Sequence, residues 1–448
     1  MAHRNRVIYQ SEAVYVTQSG YNLDLTATSG YAPTAKGTPS AEDAKARDAV
    51  MDLHRVQSAN YSFSVSRQDV NQFGELAAID RIITETPTVS FDTSYILAGL
   101  DNEAKLGFQV TPSGTPAQGG GADNMVSCVS GLIDSSSNAH QKDYFILTTK
   151  EGSDAVANTQ TGKYESIIGI GNGFITSYST EGAVGGLPTA NVSVEGMNMN
   201  FNTVATGDQI SALNFTPTAS ASKGFRFNSN GVLSGISGLS PAINPTDGTA
   251  IDQKVVLPIP TANASGAGGG LISALRPGDI TLSLVAGGTP LNDELMAHST
   301  TTDDLLVGTN IKDAHIQSYT LSFDLGRTPI QQLGTRFAFA RPVDFPITAS
   351  LSIDTILSDL TTGTIADLIN CDSSYDAVIK IKDPTCLISP KPVVVAYLMR
   401  DLKIDSESFS SSIGDNKSAT LDFSCQIGGP EQKNVGVFMS GWHNQEGL

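Results

Sequence analysis

The residue types most often used in catalysis and metal binding are present, but their spacing predicts no active site. Six histidines are spread along the chain, and no two have the H-x-x-x-H spacing of a helical zinc site. No pattern places Asp303, Asp304 and Asp359 against one another, so a solvated loop is a better expectation than an acid–base pair. Neither a G-x-S-x-G elbow nor a phosphate-binding G-x-x-x-x-G-K-[ST] loop occurs. We therefore expect no catalytic residue, no cofactor site and no metal site, and hence no enzyme.

One glycine-rich stretch follows an apolar run, as a phosphate-binding loop would. Gly169, Gly171 and Gly173 lack the third glycine of a dinucleotide-binding fingerprint at the required spacing. The residues that follow, 175–180, are typical of a strand, so no helix N-terminus would meet a phosphate. The sequence predicts a β-turn over the glycines.

Charge and cysteine content narrow the class of protein further. The net charge is −18 and no run of lysine or arginine occurs, which argues against a protein that grips nucleic acid. The acidic balance fits either a solvated surface or a surface that repels polyanions. The four cysteines contain no C-x-x-C pair, so buried free thiols are expected, with long-range disulfide or zinc pairing left open. The sequence shows no signal peptide and no 18-residue apolar run, which predicts synthesis in the cytoplasm and no membrane span.

An internal duplication is the most informative feature of the sequence. Residues 55–100 align without a gap with 315–360, and 14 of the 46 positions are identical. The likeness continues more weakly from 173–196 to 402–425, where the offset falls from 260 to 229. The sequence thus predicts three regions, listed in order: a first module at 1–205, a Gly/Ser/Pro-rich insert or linker at 206–270, and a second module at 271–448.

Both predicted modules have the pattern of strands. Polar and apolar residues alternate at 62–66, 321–325, 348–353 and 420–424, which places one side of each strand on a core. Turns are expected at Gly74 and Gly334, between two such strands. Short helices are predicted at 40–43, 125–133 and 365–369. The predicted fold class is mainly β: two tandem β-sandwich or barrel modules, each with a short flanking helix.

Four arginines occupy equivalent positions in the two modules: Arg67 with Arg327, and Arg81 with Arg341. A guanidinium group has several donors in one plane, so it suits a bridge to a carboxylate or to backbone carbonyl groups of a neighbouring subunit. An ion pair inside each module explains the same residues equally well. The four arginines are candidate inter-subunit contacts, with both explanations open.

Several of these stretches resemble tail tube proteins of tailed bacteriophages. The resemblance lies in 61–74 with 79–81, in 170–178 with 185–188, and in 402–406 with 426–430, and it extends over about half the chain. It implies a β-sandwich with a flanking helix and a long hairpin in each module. It also implies that hairpins of adjacent modules join into a barrel, that six modules close a ring, and that rings stack into a tube. Three doubled chains would then form one ring, with six chains as the alternative.

The resemblance also implies a function and a location. We expect a structural protein of the virion tail, made in the bacterial host cytoplasm, whose tube conducts DNA during ejection without binding it specifically. Its main partner is itself, and further partners are the tape measure, sheath, terminator and baseplate proteins. Two alternatives stay open: another tail component such as a terminator or baseplate hub ring, and a β-rich hydrolase or adhesin.

Overall fold

The structure is a computed structural model. It describes residues 12–17, 50–84, 88–112, 126–133, 142–149, 154–155, 164–196, 198–203, 274–286, 314–330, 341–357, 374–384, 393–410, 417–429, 432 and 434–441. Strands make up most of the described residues, and the predicted mainly β class is confirmed. We refer to the described residues up to 203 as the first half and to those from 274 as the second half.

Eighteen strands, two short α-helices and one 3-10 turn follow one another along the described residues. The first half contains β1 (Glu12–Thr17), β2 (Val50–Leu53), β3 (Val56–Ser64), β4 (Arg67–Val70), β5 (Asp80–Ile83), β6 (Thr88–Ile96), α1 (Asp101–Leu106), β7 (Val110–Pro112), α2 (Ser130–Ile133), β8 (Lys142–Thr149), β9 (Tyr164–Ala183), β10 (Thr189–Gly196) and β11 (Asn198–Thr203). The second half contains a 3-10 turn (Pro277–Asp279), β12 (Ile280–Ala286), β13 (Ala314–Asp324), β14 (Ile347–Leu357), β15 (Tyr375–Lys382), β16 (Val393–Ser410), β17 (Ser418–Ile427) and β18 (Gly436–Gly441).

A central antiparallel sheet of eight strands joins the two halves. Its order is β3-β6-β10-β9-β13-β14-β17-β16, and the halves meet where β9 pairs with β13. The long strands β9 and β16 continue out of this sheet into two flanking sheets, β2-β1-β8-β9-β11 and β12-β15-β16-β18-β7. β4 and β5 form a separate two-stranded hairpin, which we call the arm.

The two halves have the same order of strand pairing in the central sheet. β3, β6, β10 and β9 pair in the first half as β13, β14, β17 and β16 pair in the second. The register shifts also coincide: the shift after Val56 matches that after Ile316, and the shift at Ile175 matches that at Ile404. The sequence alignment pairs these same positions. Common ancestry of the halves stays a prediction, since pairing describes geometry and not descent.

Alternation of side chains explains how the central sheet forms a core. Every second residue of β6, β14 and β17 is buried, including Phe91, Leu351 and Phe423, each at most 1% exposed. These residues form one apolar cluster with the flanking sheets; for example, the rings of Phe91 and Tyr144 lie 5.5 Å apart. The strands predicted at 348–353 and 420–424 are therefore confirmed. We call the buried side of the central sheet its core face and the opposite side its polar face.

The predicted β-turn at the glycine-rich stretch is wrong. Residues 169–173 lie inside β9, which continues as a strand to Ala183. The glycine at 173 is needed because a Cβ there would lie 2.7 Å from the ring of Tyr144 and 2.8 Å from Val194. Gly173 thus allows close packing against neighbouring strands and does not form a turn.

Helices were predicted less well than strands. Within the predicted helix at 125–133 the described residues form only α2, and the sequence did not predict α1. Gly74 has a φ of +97° in the turn of the arm, as predicted. The predicted helices at 40–43 and 365–369, the turn at Gly334 and the region 206–270 lie outside the described residues.

Candidate assembly edges

The polar face of the central sheet is lined with small hydroxyl side chains and carboxylates. One row of residues in register crosses all eight strands: Lys403, Ser424, Ser350, Ser322, Ser179, Asn191, Ser94 and Ser58. The same face carries the carboxylates of Asp92, Glu181, Glu195, Asp324, Asp354 and Asp422. Among the described side chains that the register places on this face of the eight strands, Lys403 is the one basic residue. The face is therefore hydrophilic and negatively charged.

Hydroxyl groups hold the carboxylates of this face across neighbouring strands. Asp354 accepts hydrogen bonds from Ser318 and Thr420, at 2.7 and 2.6 Å. Asp422 accepts from Ser352 and Ser406, at 2.7 and 2.6 Å, and these two bonds lower the pKa of its carboxyl group. The carboxylate of Asp422 thus remains ionised, and the four hydroxyl groups that donate to Asp354 and Asp422 are already used.

The two outermost strands of the central sheet expose residues of the core face. In β3, Tyr61 and Phe63 are 40% and 63% exposed. Their aligned counterparts, Leu321 and Phe323 in β13, are at most 2% exposed because β13 lies between β9 and β14. The alternation at 62–66 predicts a strand correctly as far as Ser64, where β3 ends, but the core face of this strand lacks a cover among the described residues.

The opposite end of the sheet shows the same contrast. The part of β16 at 403–410 pairs with β17 on one side, and Phe409 in it is 57% exposed. Its aligned counterpart in the first half is Thr180 of β9, which is fully buried beside β13. We call β3 and residues 403–410 of β16 the open edges. Exposed backbone groups of such edges favour pairing with another strand.

The arm, which follows β3 in the chain, exposes a further set of apolar side chains. Within residues 70–83, six large apolar side chains are not buried by any described part of the chain: Val70, Phe73, Leu76, Ile79, Ile82 and Ile83. Contiguous exposed apolar patches mark contact surfaces in soluble proteins.

The four candidate arginines occupy the arm and its counterpart in the second half. In both places the first arginine donates to the backbone carbonyl of the second: Arg67 Nη1 lies 3.5 Å from Arg81 O, and Arg327 Nη1 lies 3.0 Å from Arg341 O. The side chain of Arg81 forms an ion pair with Asp69 in its own hairpin, at 2.5 Å. The first-half arginines therefore make their described contacts within the arm.

The second-half arginines instead contact the first half. Arg327 donates to the carbonyl groups of Ile175 and Leu132, at 3.3 and 3.4 Å, and its guanidinium carbon lies 5.1 Å from the ring centre of Phe174. Burial lowers the pKa of Arg327 to about 10, so it stays charged at neutral pH. Arg341, whose side chain is 1% exposed, lies 2.6 Å from Glu195. Arg327 and Arg341 thus bridge to carbonyl and carboxylate groups of the other half of the same chain. Contacts of the four arginines with another subunit stay a prediction.

A buried carboxyl group joins the two halves beneath the central sheet. Glu103 of α1 is fully buried, and its Oε1 accepts hydrogen bonds from Tyr95 and Tyr178, at 2.9 and 3.1 Å. The hydroxyl of Tyr178 also lies 2.9 Å from that of Tyr397 in the second half. Burial raises the pKa of Glu103 to about 7, against the opposing effect of hydrogen bonds from its backbone and the two tyrosines. With its partners all buried in the core, this carboxyl group serves the packing of the two halves.

Other potentially reactive groups are buried in the core. Cys128 and Cys425 are free thiols, as expected, and burial raises the pKa of both. Within the described residues no group of three His, Cys, Asp or Glu side chains is placed to hold a metal ion, and no helix there has the length and apolar character to cross a membrane. Cys371, Cys386, Asp303, Asp304 and Asp359 lie outside the described residues.

No sequence pattern used above singles out Glu103 or Phe409 as an important position. An aromatic residue within the serine-rich run at 406–412 was a usable signal for Phe409, since such a run otherwise favours a fully solvated strand. Nothing local distinguishes Glu103 from a surface residue of a short helix.

Comparison with known proteins gives partial structural similarities. No protein-family model matches the sequence, and no curated protein matches it. A chain in a cryo-EM structure of the anti-feeding prophage baseplate, symmetrised six-fold, is similar with a TM-score of 0.20 and 12% identity, over 24% of this chain and 76% of that chain. A chain in the tail of an empty GTA particle, refined with C6 symmetry, is similar with a TM-score of 0.19 and 18% identity, over 26% and 80%.

Proposed function

We propose that this chain is a structural protein of a bacteriophage-type tail, which assembles side by side into rings that stack into a tube. The observation that carries the proposal is the central sheet, with a continuous polar face and two open edges at its ends. Among the described residues the core face of this sheet is exposed at its two end strands, and exposed strand edges favour pairing with further strands. The role needs no catalysis.

The chemistry of the polar face suits the wall of a channel for DNA. Its carboxylates repel phosphate groups over a distance of about one Debye length, ~8 Å at physiological salt. Hydroxyl groups such as Ser318 and Ser352 already donate to Asp354 and Asp422, so these donors are not free to bind a phosphate. A polyanion could pass such a wall without binding it. We therefore place the polar face on the inside of the tube.

Electron microscopy of the purified chain tests assembly. We expect rings or tubes for the native chain and for Phe409→Leu, which keeps an apolar residue at the open edge. Phe409→Lys should remain dispersed, because it places a charge there, while its circular dichroism spectrum stays native since Phe409 is 57% exposed. A native chain that stays monomeric under all conditions would refute the proposal. Single rings that never stack would favour a terminator or hub ring.

Thiol labelling tests which face lines the channel. In Ser350→Cys, combined with Cys371→Ser and Cys386→Ser, the thiol lies on the polar face, whereas the native Cys128 and Cys425 are buried. We expect assembled tubes to react with a small maleimide and to exclude a maleimide carrying a long polyethylene glycol chain; dispersed Phe409→Lys/Ser350→Cys protein should react with both. Equal reaction of tubes with both reagents would place the polar face on the outside.

A further inference from the structure

We infer that the open edges of two chains pair with each other in the register that joins the halves within one chain. This inference rests on the proposed function and specifies its contact: β3 of one chain adds antiparallel to residues 403–410 of β16 in a second copy of this chain. Tyr61 would then lie opposite Phe409, and Ser62 opposite Ser408.

The template for this contact is the pairing of β13 with β9. In that joint Leu321 lies opposite Thr180, and Ser322 lies opposite Ser179. The ladder extends past the end of β13, where the amide of Leu325 donates to the carbonyl of Thr176 at 2.7 Å. The joint thus fixes both the direction and the register of two adjacent halves.

The matching register shifts allow this joint to be transferred to the open edges. The shift in β3 falls at the position aligned with the shift in β13, and the shift in β9 falls at the position aligned with that in β16. Aligned residues therefore occupy equivalent ladder positions. The transferred pairs are Asn60 with Ser410, Tyr61 with Phe409, Ser62 with Ser408, Phe63 with Glu407, and Ser64 with Ser406. The amide of Val65 takes the place of that of Leu325 and donates to the carbonyl of Asp405.

Burial supports a second copy as the partner at this site. Leu321 and Thr180, which face each other in the internal joint, are both fully buried. Tyr61 and Phe409, at the equivalent positions, are 40% and 57% exposed, and lie at opposite ends of the same sheet. Cross-strand aromatic pairs of this kind stabilise antiparallel sheets. Since the two edges differ, the contact is head to tail, and repeated head-to-tail contacts close into a ring when the rotation allows it.

Disulfide trapping tests the register. We would combine Ser62→Cys with Ser408→Cys in one chain that also carries Cys371→Ser and Cys386→Ser, and oxidise the assembled protein. The predicted result is a ladder of linked chains on a non-reducing gel, with the peptides that contain positions 62 and 408 joined. The largest closed species gives the number of chains in the ring. Ser62→Cys with Ser410→Cys is the shifted control: diagonal neighbours are about 7–8 Å apart, too far for an unstrained disulfide, so it should not link.

Opposite residues of an antiparallel ladder alternate between hydrogen-bonded and non-hydrogen-bonded pairs, which differ in the distance between their Cα atoms. A second set of variants therefore tests the adjacent pair, so that both kinds of pair are covered. Tyr61→Cys with Phe409→Cys tests the neighbouring register position. The internal joint supplies matched controls with known partners, namely Ser322→Cys with Ser179→Cys and Leu321→Cys with Thr180→Cys. At least one of the two positions should link inside the chain, and the corresponding position should link between chains.

The possible results separate the register from the function. If rings or tubes form and an internal control links, but its counterpart between chains does not, the inferred register is wrong and the proposed function stands. Linking of the shifted control alone would also overturn the register. If the native chain forms no assembly at all, the proposed function itself fails.

Discussion

Replacing the buried Glu103 by glutamine should change how the stability of the chain depends on pH. The pKa of this carboxyl group is about 7 in the folded protein, against the ordinary value of 4.5 expected in the unfolded chain. Between these values the folded state holds a proton that the unfolded state releases, so stability falls as the pH rises through this window. The difference between the two pKa values corresponds to a loss of roughly 3 kcal/mol, which is absent below the lower value and complete above the higher one.

Glutamine at position 103 keeps the carbonyl oxygen that accepts from Tyr95 and Tyr178, but has no proton to lose. Its amide group takes the place of Oε2, which has no hydrogen-bond partner among the described residues. We expect the free energy of unfolding of Glu103→Gln, relative to the native chain, to rise by roughly 3 kcal/mol between pH 4.5 and pH 8. Burial also lowers the pKa of Lys142 to about 7, so this group changes the free energy of unfolding mainly above pH 7. Both proteins contain Lys142, and its contribution therefore cancels in the difference between them.

Urea unfolding at a series of pH values, followed by circular dichroism, measures this difference. Both proteins carry Phe409→Lys for this measurement, so that they stay dispersed. The control is Glu75→Gln, which makes the same substitution in an exposed turn of the arm. A flat difference for Glu103→Gln would show that the carboxyl group is ionised at low cost, and would refute the reasoning from its burial.

Two further substitutions test packing and the joint between the halves. Gly173→Ala should lower the free energy of unfolding, measured in urea, by about 1–3 kcal/mol, because the added Cβ would meet the ring of Tyr144. Gly186→Ala should change it little, since the nearest atom to its Cβ lies 3.7 Å away. Equal effects of the two substitutions would contradict the packing argument. Arg327→Lys should cost about 1–3 kcal/mol by the same assay, since one ammonium group cannot serve all the carbonyl groups that the guanidinium contacts. Arg67→Lys should be nearly neutral in the dispersed chain, and a comparable loss there would refute the distinction between the two arginines.

The sequence predicted those strands whose own pattern of polar and apolar residues shows which side is buried. Along β14 and β17 the alternation of residue types matches the alternation of burial, because each strand has one covered side. The same rule applied to β3 predicts the strand but not the exposure of Phe63, since the missing cover depends on which strand lies beside it. Whether a side chain at a sheet edge is exposed depends on which strand lies beside it and not on the local sequence pattern.

The errors have physical causes of the same kind. Gly173 looked like a turn residue because turns are the commonest use of clustered glycine, whereas the real constraint is the ring of Tyr144 on another strand. For α1, local signals were present: Asp101 and Glu103 in the first turn, and Gly107 with a φ of +100° at its end. The burial of Glu103 could not be predicted, because its partners Tyr95 and Tyr178 come from two different strands of the folded sheet.

The internal joint also explains what tandem fusion would contribute to assembly. A ring built from single modules needs every joint to form between separate molecules, whereas fusion makes every second joint intramolecular, with a correspondingly high effective concentration. The internal joint can then specialise: Arg327 lies over Phe174 there, while the equivalent pair at the open edges is Arg67 and Lys403, two like charges. If the inferred joint between chains forms, equal backbone register with less favourable side chains would make it the weaker and more salt-dependent of the two. Disassembly should then separate whole chains along β3 and leave the pairing of β9 with β13 intact.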